Sequence, residues 1–101
     1  MPRLVVYQED RASQVLELAG DRPLSIGRAK SSDLVLDDPG VSRRHAQIKR
    51  QPDGSLALLD LGSTNGTKIN GIAIEPNILV PLRDGDRITL GCWTHITVNA
   101  R

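Results

Sequence analysis

At 101 residues, with 39% hydrophobic and 25% charged side chains, the chain has the size and balance of one globular domain spanning 1–101, not the apolar-poor, highly charged composition of disorder. Thirteen basic against twelve acidic residues, a net charge of +1, provide no general attraction to nucleic acid or to an anionic membrane. A single cysteine and two histidines exclude an internal disulfide and a structural zinc site, which points to a reducing, cytoplasmic setting without a metal or cofactor.

The N-terminal run MPRLVVYQEDR is too short in its apolar part for a signal peptide, and no 18-residue apolar stretch follows. No window repeats apolar residues at helical spacing, so no helix is predicted. Short alternating runs instead predict strands at 3–8, 14–19, 23–27, 34–36, 44–50, 55–61, 67–69, 72–74, 79–82, 86–90 and 93–99. In HAQIKR the alternation turns Ala46 and Ile48 inward and Gln47 and Lys49 outward; in RITLG it turns Ile88 and Leu90 inward. Pro39-Gly40, Pro52-Asp53-Gly54, Asn65-Gly66, Asn70-Gly71 and Asp84-Gly85 mark turns. Asn70-Gly71, between two short strands, is the strongest two-residue hairpin signal.

About eleven short strands with frequent turns predict an all-β, antiparallel, twisted sandwich. Aromatic residues make up only 2% and Phe is absent, so the core must come from Leu, Ile, Val and Ala, with Cys92 expected as a small core filler. His95 is expected as an exposed strand residue. Strands are expected to begin and end close to the two ends of these 101 residues, so no tail of useful length is expected within them.

Function in such a fold is expected on the loops at one end. Gly27-Arg28 closes an apolar strand, with a glycine that lets the backbone bend and an arginine that can project from the rim. Ser42-Arg43-Arg44-His45 follows the Asp37-Asp38-Pro39-Gly40 turn, and Ser63-Thr64-Asn65-Gly66 fills a third loop. Singly, each has a plain structural explanation: an exposed arginine, a turn serine, a hydrogen-bonded histidine.

Together, GR at 27–28, SRRH at 42–45, STNG at 63–66, NG at 70–71 and LRDGDRITLG at 82–91 resemble the forkhead-associated domain, a phosphothreonine-peptide binding module. The thirteen residues between Arg28 and Ser42 and the twenty-two between Ser42 and Asn65 are similar to the family's gaps. The resemblance implies an eleven-stranded β-sandwich with its ligand site on loops at one end. It further implies that Arg28 holds the phosphate with Ser42 and Arg43, that Thr64 lines the phosphothreonine site, and that Asn65 hydrogen-bonds the peptide main chain. Gly27, His45, Gly66 and Asn70 match loop-shaping positions. The implied partner is a phosphothreonine-containing protein acted on by an upstream serine/threonine kinase, with the domain as a monomer and no nucleic acid or membrane involved. With no tail of that kind expected within these residues, the ligand is expected to be intermolecular, or a phosphosite in a segment of a larger protein outside this sequence. Selectivity around the phosphothreonine is expected from walls at 37–41, 62–67 and 80–85.

The residue types suit that task. Phosphothreonine carries about −1.5 to −2 charges at neutral pH and three strong acceptor oxygens. An arginine fork matches two of them better than a lysine can, and an amide such as that of Asn65 can pair with an extended backbone as donor and as acceptor. The two Asn-Gly pairs therefore divide, Asn65 toward the ligand and Asn70 toward the hairpin. An enzyme built on Ser42 and His45 is disfavoured because strand residues three apart point to opposite faces, and no catalytic elbow, phosphate loop or metal-ligand set is present. Single-strand nucleic-acid binding lacks aromatic platforms. The remaining alternative is a phosphate-independent interaction scaffold of the same fold.

Overall fold

A computed structural model describes residues 2–18 and 20–100. Among them eleven strands follow one another without a helix: β1 (Arg3–Gln8), β2 (Gln14–Glu17), β3 (Leu24–Gly27), β4 (Leu34–Val35), β5 (Ala46–Arg50), β6 (Leu56–Asp60), β7 (Thr67–Ile69), β8 (Ile72–Ala73), β9 (Val80–Leu82), β10 (Arg87–Leu90) and β11 (Thr94–Asn99). Each expected strand is present to within two residues at either end; the final residue of the expected 14–19 strand lies outside the described residues. Two sheets result, ordered β2-β1-β11-β10-β7-β8 and β4-β3-β5-β6-β9.

Period-two alternation builds the core between them. In the first sheet Val6, Ile96, Ile88 and Ile69 align across four strands; in the second, Leu24, Ile48 and Leu58 align across three. All seven belong to one apolar cluster or pack against it. Complete burial of each such side chain contributes about 1.5–3 kcal/mol, which offsets the roughly 1–2 kcal/mol per residue that ordering the backbone costs. Ala46, Ile48, Ile88 and Leu90 are buried, as their alternation predicts.

Two expectations change. The second sheet is mixed, because β3 and β4 run parallel, with Ile26 opposite Leu34 and Gly27 opposite Val35. The chain returns within residues 28–33, a loop in which Ser32 N–H bonds the Ala29 carbonyl at 3.0 Å. Cys92 is not a core residue: it is exposed in the turn at 91–93, because the inward place at the start of β11 goes to Thr94, which is buried.

Strand direction decides which loops share an end. β3 and β6 run toward the connections at 28–33 and 61–66, and β5 runs away from the connection at 36–45. The turn at 91–93 joins the same end through Asp38, and residues 75–78 join it through the Asn77 N–H, which bonds the Asp60 carbonyl at 2.7 Å. The turn at 83–86 lies at the other end, where Gly85 N–H bonds the Val98 carbonyl at 2.7 Å.

Candidate functional site

Hydrogen bonds weld three loops into one surface. Arg28 N–H donates to the Ser42 carbonyl at 3.0 Å and Ala29 N–H to the Arg43 carbonyl at 3.1 Å, so the first loop lies alongside the second. Thr64 N–H donates to the Ser42 Oγ at 3.0 Å, and the Asn65 side-chain amide donates to the Gly40 carbonyl at 3.0 Å, which brings in the third.

Gly27 is required by proximity, not by bending. A Cβ there would lie 2.1 Å from the Arg43 carbonyl oxygen, and that oxygen belongs to the backbone and cannot swing away. The missing side chain lets the Arg43 turn press against the end of β3. Gly66 is required by conformation: its φ of +80° is one that other residues rarely adopt.

His45, expected as a loop-shaping residue, is completely buried. Its Nδ1 accepts the Ser42 N–H at 3.0 Å, so the proton sits on Nε2, which faces the Gly66 carbonyl and the Thr67 Oγ1 at 3.1 Å each. Thr67 donates its own hydroxyl to Asp60 at 2.6 Å, which leaves its oxygen to accept from the imidazole. Burial holds the His45 pKa below the ordinary histidine value, opposed in part by the Gly66 carbonyl and by the Asp60 and Asp38 carboxylates. The ring is therefore a neutral strut between the second and third loops.

Two acids that the sequence reading did not single out hold this end together. Asp60, buried at the end of β6, accepts from the N–H groups of Gly62 and Ser63 at 2.8 Å each and from the hydroxyls of Ser63 and Thr67 at 2.6 Å each. Burial alone would raise its pKa, but these donors outweigh it and the carboxyl stays below its usual range. Asp38, also completely buried, accepts from Gly40 N–H, Cys92 N–H, Trp93 N–H and the Thr94 hydroxyl. Its pKa is likewise lowered, because the same donors overcome desolvation. A signal for Asp60 was available: Leu56, Leu58 and Asp60 share the inward face, and an acid there must be hydrogen-bonded.

What projects from this framework is cationic and donor-rich. Arg28 is exposed, and its Nε bonds the Val41 carbonyl at 3.0 Å, which aligns the guanidinium along the second loop and leaves its terminal nitrogens free. Ser42 spends its oxygen on Thr64 N–H and keeps its hydroxyl proton. Arg43, Thr64 and Asn65 are exposed, and Asn65 keeps its carbonyl oxygen and one amide hydrogen. Arg28, Ser42, Arg43, Thr64 and Asn65 thus belong to one hydrogen-bonded end of the sandwich.

Asn70 does not. It lies past the other end of β7, in a turn where Asn70 and Gly71 both have positive φ, 51° and 83°. It accepts Arg87 N–H at 2.9 Å and donates to the Asp86 carboxylate at 2.9 Å, clipping the hairpin to β10. The expected wall at 80–85 is also displaced, because 80–82 is strand β9 and the following turn occupies the far end. Residues 75–78 and 91–93 lie instead at the end that holds 37–41 and 62–67. Residues 43–44 form a turn instead of starting β5, so Ser42 and His45 are close, contrary to the strand-based expectation. The contact still gives the serine no base, because the imidazole takes the Ser42 backbone N–H and not its hydroxyl.

Among the described residues no group of three or more His, Cys, Asp or Glu is placed to hold a metal ion, and no helix is long and apolar enough to cross a membrane.

A two-sheet sandwich that offers free donors on a rigid loop platform is an interaction module. Residues 24–91 match the family model of the FHA domain, and the chain belongs to that family. It is 47% identical over 72 residues to the oxoglutarate dehydrogenase inhibitor of Corynebacterium diphtheriae, covering 70% of this chain and 48% of that protein. Its fold is similar to the FHA domain of an Arabidopsis thaliana hypothetical protein, with a TM-score of 0.88 and 35% identity over 97% of this chain and 83% of that one. It is also similar to the N-terminal FHA domain of Saccharomyces cerevisiae Rad53p in complex with a phosphothreonine peptide, with a TM-score of 0.83 and 27% identity over 96% of this chain and 92% of that one. The chain spans between 25% and 48% of the length of the first curated relatives it matches.

Proposed function

We propose that residues 1–101 act as one non-catalytic reader of phosphothreonine in a partner protein, in the cytoplasm and as a monomer, with a serine/threonine kinase acting upstream. In this reading Arg28, Ser42 and Arg43 hold the phosphate, Thr64 lines the phosphothreonine site, and Asn65 pairs with the peptide backbone. His45, Gly27 and Gly66 keep the loops in register, with Asp60 and Asp38 beneath them.

One observation carries the proposal: the Arg28 guanidinium is tied through Nε to the Val41 carbonyl, on the loop that carries the Ser42 hydroxyl, whose oxygen is already filled by Thr64 N–H. Cationic and neutral donors are thereby held in place with their protons unspent. That is what a doubly charged acceptor group requires, and pre-organised donors lose little conformational entropy on binding. The Rad53p domain's phosphothreonine complex supports the same ligand class. Phosphatase treatment of a captured partner tests the reading: release supports it, and undiminished binding favours a phosphate-independent scaffold.

A further inference from the structure

Beside the proposed phosphate site, on the outer face of the mixed sheet, lies a cleft of about 250 Å³ lined by Ser25, Ser31, Ser32, Arg44, Gln47 and Leu61. It is several times the roughly 30 Å³ share of one water molecule. Its location follows from the backbone. Arg28 and Ala29 run alongside Ser42 and Arg43 through two hydrogen bonds, and the cleft is lined by Ser31 and Ser32, which follow Lys30 on the first of these segments, and by Arg44, which follows Arg43 on the second. Arg43 and Arg44 are neighbours in a turn, and only Arg44 lines the cleft.

The donors of this cleft are unspent. Among the described residues no hydrogen bond or ion pair engages the Arg44 guanidinium, the Ser31 and Ser32 hydroxyls or the Gln47 amide. No acid lines the cleft, and the nearby Asp33 carboxylate is occupied by Ser25 N–H at 2.9 Å, the Ser25 hydroxyl at 3.2 Å and Arg22 at 3.1 Å. A recess with a free guanidinium, two free hydroxyls and no carboxylate is complementary to an anion.

Resting on the reading of the main site, we propose that Arg44, Ser31 and Ser32 form a second anion subsite that takes a carboxylate or a second phosphate of the same ligand, at a position near the phosphothreonine in its sequence. The subsite selects partners phosphorylated within acidic or multiply phosphorylated segments. It adds to the phosphothreonine contacts and does not replace them.

The test is a titration by fluorescence polarisation of the wild-type domain, Arg44→Ala, the double variant Ser31→Ala/Ser32→Ala and Arg28→Ala, at an ionic strength of about 0.15 M so that charges beyond about 8 Å are screened. Three peptide sets share one phosphothreonine: neutral flanks, a single glutamate placed in turn at each of the three positions on either side, and a phosphoserine placed likewise. The expected result is a gain of about tenfold for an anion at one or two positions, the scale of a charge-assisted contact. Arg44→Ala should abolish that gain, the double variant should reduce it, and both should leave the neutral-flank peptide unaffected. A gain from glutamate identifies acidic segments as the source, and a gain from phosphoserine alone identifies doubly phosphorylated ones. Equal affinity for all placements, or an Arg44→Ala loss that is the same for neutral and anionic flanks, overturns the subsite while the reader function stands. Failure of wild type to bind the neutral-flank phosphothreonine peptide, with no difference in Arg28→Ala, overturns the main site and the subsite with it.

Discussion

The buried imidazole of His45 accepts the backbone N–H of Ser42 at 3.0 Å, and its opposite nitrogen reaches the loop that carries Thr64 and Asn65. The ring spans the two loops that meet at the Ser42 hydroxyl, and its neutral state is a condition of the geometry: a proton on Nδ1 would face the Ser42 N–H with a second donor. His45→Ala removes the ring from a closed site and strands its partners, so the expected loss is about 2–4 kcal/mol. Thermal unfolding checks this, and for a domain of this size each kcal/mol lowers Tm by roughly 4–8 °C.

Protonation gives a second test. The His45 pKa is lowered in the fold by burial, while in the unfolded chain histidine titrates near about 6.5. Below that pH the unfolded state binds more protons than the folded one, so stability falls as pH falls. The His45 contribution is fully present above about pH 6.5 and is lost progressively below it. His95, half-buried in β11 instead of exposed as expected, has a pKa lowered by burial and by Arg87 and adds in the same direction. Asp60 and Asp38 have lowered pKa values; their contributions are present above about pH 4 and lost as pH falls through their folded values. Urea midpoints measured at descending pH should be level near neutrality and decline in two stages. His45→Gln should flatten most of the first stage, and an unchanged first stage in that variant would assign it elsewhere.

Asp60→Ala leaves three donors of the third loop and the Thr67 hydroxyl at the start of β7 without an acceptor. With a penalty of about 1–3 kcal/mol for each buried donor left unpaired, and partial rescue by water, the expected loss is at least about 3 kcal/mol. Hydrogen exchange should accelerate first at residues 62–67, and ligand binding should weaken although Asp60 touches no ligand. Protection unchanged in that loop would remove Asp60 as its anchor.

The two Asn-Gly pairs separate by substitution. Asn65→Ala forfeits one partly buried hydrogen bond to the Gly40 carbonyl, about 1 kcal/mol, and should lose phosphopeptide binding in a folded domain. Gly71→Val places a β-branched side chain at a φ of +83° and should cost stability, with little effect on affinity in the fraction that remains folded. Gly27→Ala should do both, because its Cβ would drive the Arg43 carbonyl, and the turn beside Ser42, outward. Circular dichroism melts paired with peptide titrations distinguish the three outcomes.

Much of the fold was legible because period-two alternation is local: the longer strands, such as β1, β5, β10 and β11, carry their own pattern, and turn residues mark the ends of the short ones. The residue types of the site were legible for a related reason, since Gly27-Arg28, Ser42 to His45 and Ser63 to Gly66 are short contiguous strings. What the sequence hid depends on distance along the chain. Asp38 bonds Cys92, Trp93 and Thr94, more than fifty residues away, so nothing beside it marks it as buried, and the outward place of Cys92 in that turn was equally invisible. The parallel β3–β4 pair and the placement of 80–85 at the far end are likewise matters of tertiary direction, which alternation does not encode. Gly27 was noticed for the wrong reason: its neighbour is the Arg43 carbonyl, brought there by the loop and not by its own φ.

The most direct measurement is a fluorescence-polarisation titration of the domain with one degenerate peptide library in phosphothreonine, phosphoserine and unphosphorylated forms, repeated with Arg28→Ala. The expected result is saturable binding of the phosphothreonine form. For a ligand held in the micromolar range, about −8 kcal/mol, Arg28→Ala should weaken it by at least tenfold, since a hydrogen bond to a charged group contributes about 1.5–3 kcal/mol. Equal binding of the three forms, or phosphothreonine binding unchanged in a folded Arg28→Ala domain, would contradict the phosphate-reading role of this site.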